Sequence, residues 1–376
     1  MAVGLAVVLV SSAIINGFQE EIPQKMTNFW GDIQVSNLDL SDSFESQPID
    51  FDADLVLKIK QFSFVQHIQT YATKAAVAKT QNAFEGVLIK GIGKDFDWKT
   101  MDNFLIEGTT FALNDTQKTN NVWISKGLCD KLDLKINQTL EVYFIQKTAR
   151  ARLFRVVGIY DTGVEAETGK PIVLADIGHI RQLNGWSDGQ IGGYEVFTKD
   201  VDSLQTNGET LRQALPPDLN SLTIKELYPN LFAWLGVFDM NKTVILTIII
   251  LVAGVNMVSA LLILILERMR LIGLLKSLGM TDWHLQTIFL MSGLYLVGLG
   301  LVVGNVLGLG LLFIQQKFGF IELDQNLYYV SKVPVLIDFR QIVNLNAGIF
   351  VACLLIMLLP SYLIKTISPI KALKFD

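Results

Sequence analysis

The stretch ERMRLIGLLKSLGMTDW, residues 267–283, lies between two long apolar runs, residues 244–266 and 288–314. Each run exceeds the roughly 20 apolar residues needed to cross a hydrocarbon core about 30 Å thick. The run 244–266 carries no charge, and Asn256 is its only strongly polar side chain. A helix apolar on every face has no solvated side, and each Leu, Ile, Val or Phe favours insertion by about 0.3 to 0.6 kcal/mol. Both runs therefore read as membrane spans, and the segment between them lies at one membrane surface.

Three cations, Arg268, Arg270 and Lys276, mark that surface as cytoplasmic, because short loops rich in Lys and Arg stay on the inner side. Within the segment Leu271, Ile272, Leu275 and Leu278 recur at helical spacing. Such a helix either lies on lipid headgroups or fills a groove on a partner protein. Gly273 and Gly279 argue against lipid anchoring, since each weakens a helix by about 1 kcal/mol and exposes backbone. They suit close approach of another backbone or, at Gly279, a helix C-cap. Thr281 or Asp282 can then cap the next helix, with Trp283 at the interfacial level. The plain alternative is a solvated connecting loop.

The 376 residues are 51% hydrophobic and 18% charged, and the apolar residues are concentrated in a few runs. A net charge of −5 gives no reason to expect a nucleic-acid partner. Cys129 falls in the polar middle of the chain and Cys353 in an apolar run, so no disulfide between them is expected.

Residues 1–18 are expected to form a partial first span: the nearly all-apolar stretch 1–15 rises only about 22 Å as a helix. They lack the basic start of a signal peptide. Residues 19–240 are a polar block of domain size. Strands are expected at 32–35, 67–72, 86–92, 122–124, 139–145, 153–160, 171–174 and 194–198, where Val, Ile, Phe and Tyr cluster between turn residues. Helices are expected at 54–61, 126–131, 175–183 and 203–214, giving an α+β extracytoplasmic domain. The second span covers 241–266, the cytoplasmic segment 267–284 and the third span 285–316. An outer loop at 317–341, a fourth span at 342–364 and a cytoplasmic tail at 365–376 complete the chain. Gly300, Gly304 and Gly308 share one face of the third span and invite a neighbouring backbone, with Asn305 beside them to bond another helix. Six cations fall on the inner side (Arg268, Arg270, Lys276, Lys365, Lys371, Lys374) against three in the outer loop (Lys317, Lys332, Arg340), which puts the large domain outside.

Catalytic patterns do not emerge. Gly169-Lys170 is followed by Pro171 and lacks the glycine a phosphate loop needs, and Gly91-Ile92-Gly93 has no third glycine. Asp50, Asp52 and Asp54 mimic the start of a calcium loop, but Leu55 and Gln61 replace its required Gly and Glu, so helix capping is the better reading. His67, His179 and His284 show no metal spacing. No catalytic, cofactor-binding or metal-ligating residue is assigned.

The pattern E-R-x-x-x-I-G-L-L-K-S-L-G closely resembles the cytoplasmic coupling segment of ABC-transporter permeases of the MacB/FtsX/LolC–LolE superfamily. The clause at 122–125 followed by Leu128, Leu132 and Leu134 resembles their outer core, departing at Cys129 and Asn137. FRVVGIYDTG (154–163), IGGYEVF (191–197), YYVSKVPV (328–335) and the tail KTISPIKALKFD resemble the lipoprotein-releasing branch, particularly its Bacteroidetes-type members. The resemblance implies a truncated first span, a bacterial inner-membrane location and lipoprotein release. It implies two copies of a cytoplasmic ABC ATPase that carry the ATP and Mg, with no cofactor on this chain. It also implies a second permease subunit, identical or paralogous, and a lipoprotein bound on apolar faces of the first two spans; a periplasmic lipoprotein chaperone is a further candidate partner. The coupling role is carried over to Glu267, Arg268, Arg270, Ile272, Gly273, Leu275, Lys276, Leu278, Gly279 and Met280. Replacing Leu275 and Leu278 by Asp is then expected to abolish ATPase binding. The alternatives are an FtsX-like regulator of a cell-wall hydrolase and a membrane-tethered sensor or adhesion protein without an ATPase.

Overall fold

The computed structural model describes residues 1–38, 45–81, 83–114, 117–144, 150–163, 165–200 and 203–361. Ile145, the last residues of the expected fourth span and the tail with Lys365, Lys371 and Lys374 lie outside them. The chain divides into two compact units. One comprises Met1–Glu20, Ala233–Glu322 and Lys332–Asp376, the other Glu21–Phe232 and Leu323–Ser331.

Among the described residues, four helices are long and apolar enough to cross a membrane: Ala2–Trp30, Pro229–Glu267, Asp282–Phe318 and Phe339–Ser361. The first two are longer than their apolar runs. Beyond residue 18 the first helix continues through Glu20, Glu21 and Lys25, which the sequence reading assigns to the polar block 19–240. It stays helical because Ile22, Met26, Phe29 and Trp30 recur every three or four residues and bury completely. The second helix starts at Pro229, a residue suited to the first helical position, ahead of the predicted 241. Its early turns carry Trp234 and Phe238, which pack against Phe18 with ring centroids 6.4 Å and 5.6 Å away.

The membrane unit buries Leu5, Leu9, Ala253, Met257, Leu261, Val297, Ile349, Cys353 and Met357 together. The third helix meets the first through its glycines. A Cβ on Gly304 would fall 2.8 Å from the Ala2 carbonyl oxygen, and one on Gly308 3.2 Å from the Ala6 Cα. Gly300 faces the Met1 side chain. Asn305 donates to the Asn346 Oδ1 at 2.7 Å and accepts from its Nδ2 at 3.0 Å, tying the third helix to the fourth. Asn16 is paired with Gln341.

The outer domain is built on a ten-stranded sheet. Its order is Leu219–Thr223, Ile33–Asn37, Gly193–Thr198, Val65–Lys79, Phe84–Ile92, Ile172–Asp176, Asn121–Ser125, Arg150–Tyr160 and Leu105–Gly108. Thr139–Phe144 pairs with both Arg150–Tyr160 and Val65–Lys79, so six of these strands close into a ring. Closure removes exposed edges and gives the ring a buried interior. Trp123, Tyr160, Phe144 and Phe154 are among its largest fully buried side chains. Strand existence follows the sequence reading at all eight expected sites, while Leu105–Gly108 and Leu219–Thr223 were not foreseen. Both are four or five residues with polar or exposed positions, so alternation is too short to register.

Local capping follows residue chemistry. Asp52 accepts from the amides of Asp54 at 2.9 Å and Leu55 at 3.1 Å, capping Ala53–Lys60 where the aspartates mimic a calcium loop. Ser125 caps Lys126–Leu132 by accepting from the Leu128 amide. Asn137 sits at φ +69, the left-handed region that asparagine tolerates better than other side chains. The expected helix 175–183 splits into strand Ile172–Asp176 and helix Ile177–Asn184, with Asp176 capping by accepting from the Gly178 amide at 2.8 Å.

Candidate functional site: the cytoplasmic helix and the outer cleft

The second membrane helix ends at Glu267, Arg268 breaks the helical path at φ −104 and ψ 15, and a nine-residue helix follows at Met269–Ser277. Its end is a Schellman motif: the Met280 amide donates to the Leu275 carbonyl and the Gly279 amide to the Lys276 carbonyl, each at 3.0 Å. Gly279 adopts φ +91, which a side chain there would resist. Thr281 then starts the third membrane helix, its hydroxyl 2.7 Å from the His284 Nδ1 rather than on a backbone amide. Lys276 pairs with Asp282 at 2.8 Å across this corner.

Ile272 is 1% exposed and packs with Ile265, Leu285 and Phe289, flanked by Leu264, Leu275 and Met280. Gly273 is buried beside it, and Leu275 is half-buried. The helix is therefore fastened to the inner ends of the second and third spans. Its outer side presents Leu271, Leu274 and Leu278, 47%, 50% and 76% exposed, at positions i, i+3 and i+7. Glu267, Arg268 and Arg270 are exposed around this stripe, and Met280 is half-buried. The apolar face predicted as one surface is thus two. Ile272 and Leu275 hold the helix to its own chain, while Leu271 and Leu278 face out with Leu274. Leu274 was missed, although counting three and seven residues on from Leu271 would have found the stripe.

The outer domain contributes a polar cleft of about 220 Å³ lined by Ser125, Lys126, Asp130, Asp161, Glu165 and Gln325, among others. Glu165 accepts from the Ile172 amide at 2.9 Å. Burial, and then nearby Asp161, push its carboxyl up to about 7 against the hydrogen bonds that favour its charge. Gln325 donates to Asp161 at 2.5 Å and Tyr329 to Glu167 at 2.7 Å, so the segment Leu323–Ser331 closes one side of this region. No group of three or more candidate metal ligands occurs among the described residues.

A four-span bundle joined in sequence to a large α/β domain defines a multi-pass membrane protein with a periplasmic-type domain. The sequence model of the MacB-like periplasmic core domain matches residues 1–214, and that of the FtsX-like permease C-terminal region matches residues 243–369. The chain belongs to this family of MacB/FtsX/LolC-type ABC transporter permeases. It is 22% identical to the lipoprotein-releasing system transmembrane protein LolC of Buchnera aphidicola subsp. Schizaphis graminum, over 97% of this chain and 90% of that one. It is 21% identical to the corresponding protein LolE of Haemophilus influenzae, over 99% and 92%. An uncharacterised ABC transporter permease of Methanocaldococcus jannaschii is 29% identical over 53% of this chain and 51% of its own. Among solved structures, the periplasmic region of MacB from Actinobacillus actinomycetemcomitans aligns with a TM-score of 0.38 and 15% identity, covering 57% of this chain and 96% of that one. The extracellular domain of the ABC-type transporter YknZ aligns at 0.35 and 16%, covering 51% and 99%.

Proposed function

We propose that this chain is the non-catalytic membrane subunit of a lipoprotein-releasing ABC transporter of the bacterial inner membrane. The large domain is periplasmic. Two copies of a separate cytoplasmic ATPase hold the ATP and Mg, and a second permease chain completes the membrane part. The observation that carries the reading is the fastened cytoplasmic helix with its outward leucine stripe, Leu271, Leu274 and Leu278. Relatives named for lipoprotein release, aligned over nearly their whole length, supply the substrate class.

Extraction of a lipoprotein exposes acyl chains at about 0.8 kcal/mol per CH₂, so several chains demand tens of kcal/mol and an external energy source. A push on the leucine stripe moves the inner ends of the second and third spans, because Ile272 and the Lys276–Asp282 pair tie the helix to both. The second helix, at 39 residues, extends about 58 Å, nearly twice the hydrocarbon thickness, and has the length to carry that displacement past the membrane. Depletion of the protein followed by membrane fractionation tests the reading. Lipoproteins retained in the inner membrane support it; unchanged lipoprotein sorting rejects it.

A further inference from the structure

The segment Leu323–Ser331, LDQNLYYVS, leaves the third membrane helix and returns to the fourth, yet it belongs to the unit of the outer domain. Its ends are drawn together where the Leu323 amide donates to the Ser331 carbonyl at 3.0 Å, and Val330 is only 1% exposed. This strap is seated on three residues of the outer domain. Gln325 donates to Asp161, Tyr329 donates to Glu167, and a Cβ on Gly163 would fall 2.3 Å from the Tyr329 carbonyl oxygen. Gly163 and Tyr329 both adopt left-handed backbone, at φ +72 and +62; a tyrosine stays there only where its surroundings hold it.

Glu165 stands in sequence between Gly163 and Glu167, and it lines the polar cleft together with Gln325 of the strap. The charged and titratable groups around it are Asp161 and Glu167 on its own stretch, Lys126, Asp130 and Lys131 on the helix Lys126–Leu132, and the buried Tyr160 phenol. The strap adds the neutral Gln325, the Tyr329 phenol and the exposed Asp324, and it contains no cation. A seated strap therefore screens Glu165 from water and supplies no counter-charge, so closure and ionisation of this carboxyl oppose each other. We propose that the strap Leu323–Ser331 is a proton-controlled latch over the cleft, seated while Glu165 is neutral and lifted when Glu165 is ionised. The sign follows from burial, which holds the carboxyl near 7 in the seated state against an ordinary 4.5. Seating takes up a proton, so it is favoured below 4.5 and weakened as pH rises through 7. The latch goes beyond the proposed transport function and is independent of the substrate.

The test uses purified full-length protein with Cys129→Ser and Cys353→Ala to remove the native thiols. Val330→Cys reports from the buried side of the strap, and its maleimide-labelling rate is divided by that of Leu327→Cys, 68% exposed on the same strap. With the lifted-state carboxyl at its ordinary 4.5, the ratio is expected to rise about tenfold between pH 6 and 8. Glu165→Gln is expected to hold it at or below the pH 6 level throughout. Gly163→Ala, whose methyl meets the Tyr329 carbonyl, should label fast at every pH. Ile180→Cys, buried in the same domain and outside the cleft lining, reads opening of the whole domain. A ratio unchanged with pH, a rise that survives Glu165→Gln, continued protection in Gly163→Ala, or an equal rise at Ile180→Cys would each overturn the latch. Amide exchange at Leu323 and Tyr329 of the unsubstituted protein, corrected for intrinsic rates, repeats the measurement should Val330→Cys fail to fold. The same rise is expected there, and protection independent of pH rejects the latch.

Discussion

Lys90 is fully buried, and its ammonium lies 2.7 Å from the equally buried carboxylate of Glu195. It also donates to the Phe29 carbonyl and sits over the rings of Phe29 and Trp30 at 4.6 Å and 4.7 Å. Burial pushes the lysine down and the glutamate up, toward neutrality, and each group holds the other charged. The pair fixes the end of the first helix to the sheet. Lys90→Met leaves the buried carboxylate without its counter-charge, with only the Gln69 amide donating to it at 2.8 Å, and is expected to destabilise the domain by about 3 to 5 kcal/mol, read from thermal unfolding of the purified protein. Lys90→Met with Glu195→Leu should recover most of that loss. Glu165 behaves differently. Its folded value near 7 lies above the ordinary 4.5, so folding takes up a proton between those values. Its contribution to stability is therefore greatest below about pH 4.5 and is lost as pH rises through 7. Glu165→Gln keeps an acceptor for the Ile172 amide, and should flatten the melting-temperature profile between pH 5 and 8 and melt higher than the native protein at pH 8.

At the scale of elements, the cytoplasmic helix separates two jobs that the sequence presents as one. Leu274→Asp with Leu278→Asp changes only exposed positions and is expected to abolish ATPase co-purification while leaving the melting temperature within a few degrees. Ile272→Asp buries an unpaired carboxylate and should cost about 3 kcal/mol or more, with loss of folded protein. Leu275 is a poor test of docking because it supports the Ile272 cluster. The third helix allows a similar contrast. Gly304→Leu forces a side chain into the Ala2 carbonyl and Leu5, whereas a Cβ added at Gly310, the site for Gly310→Leu, meets nothing within 4 Å. The first is expected to lower thermal stability and the second to leave it unchanged, in the same detergent. The four-residue glycine spacing was legible in the chain, since only glycine permits such approach. Which helix it receives was not, because any apolar neighbour would satisfy the pattern.

At the scale of the whole molecule, the leucine-stripe variant should reproduce depletion: lipoproteins accumulate in the inner-membrane fraction although the variant is present at normal level. Hydropathy, cation placement and apolar spacing determined the four spans, the outer location of the large domain and the short helix between spans two and three, because a bilayer imposes length and charge rules that each segment obeys on its own. Cap chemistry likewise determined Asp52 and Gly279, whose bonds reach only a few residues. The helix from residue 19 to Trp30, the closed six-strand ring, the inward turn of Ile272 and the Lys90–Glu195 pair were decided by tertiary structure. Each depends on which distant surface covers a side chain, and a linear pattern of apolar and polar residues carries no record of that partner.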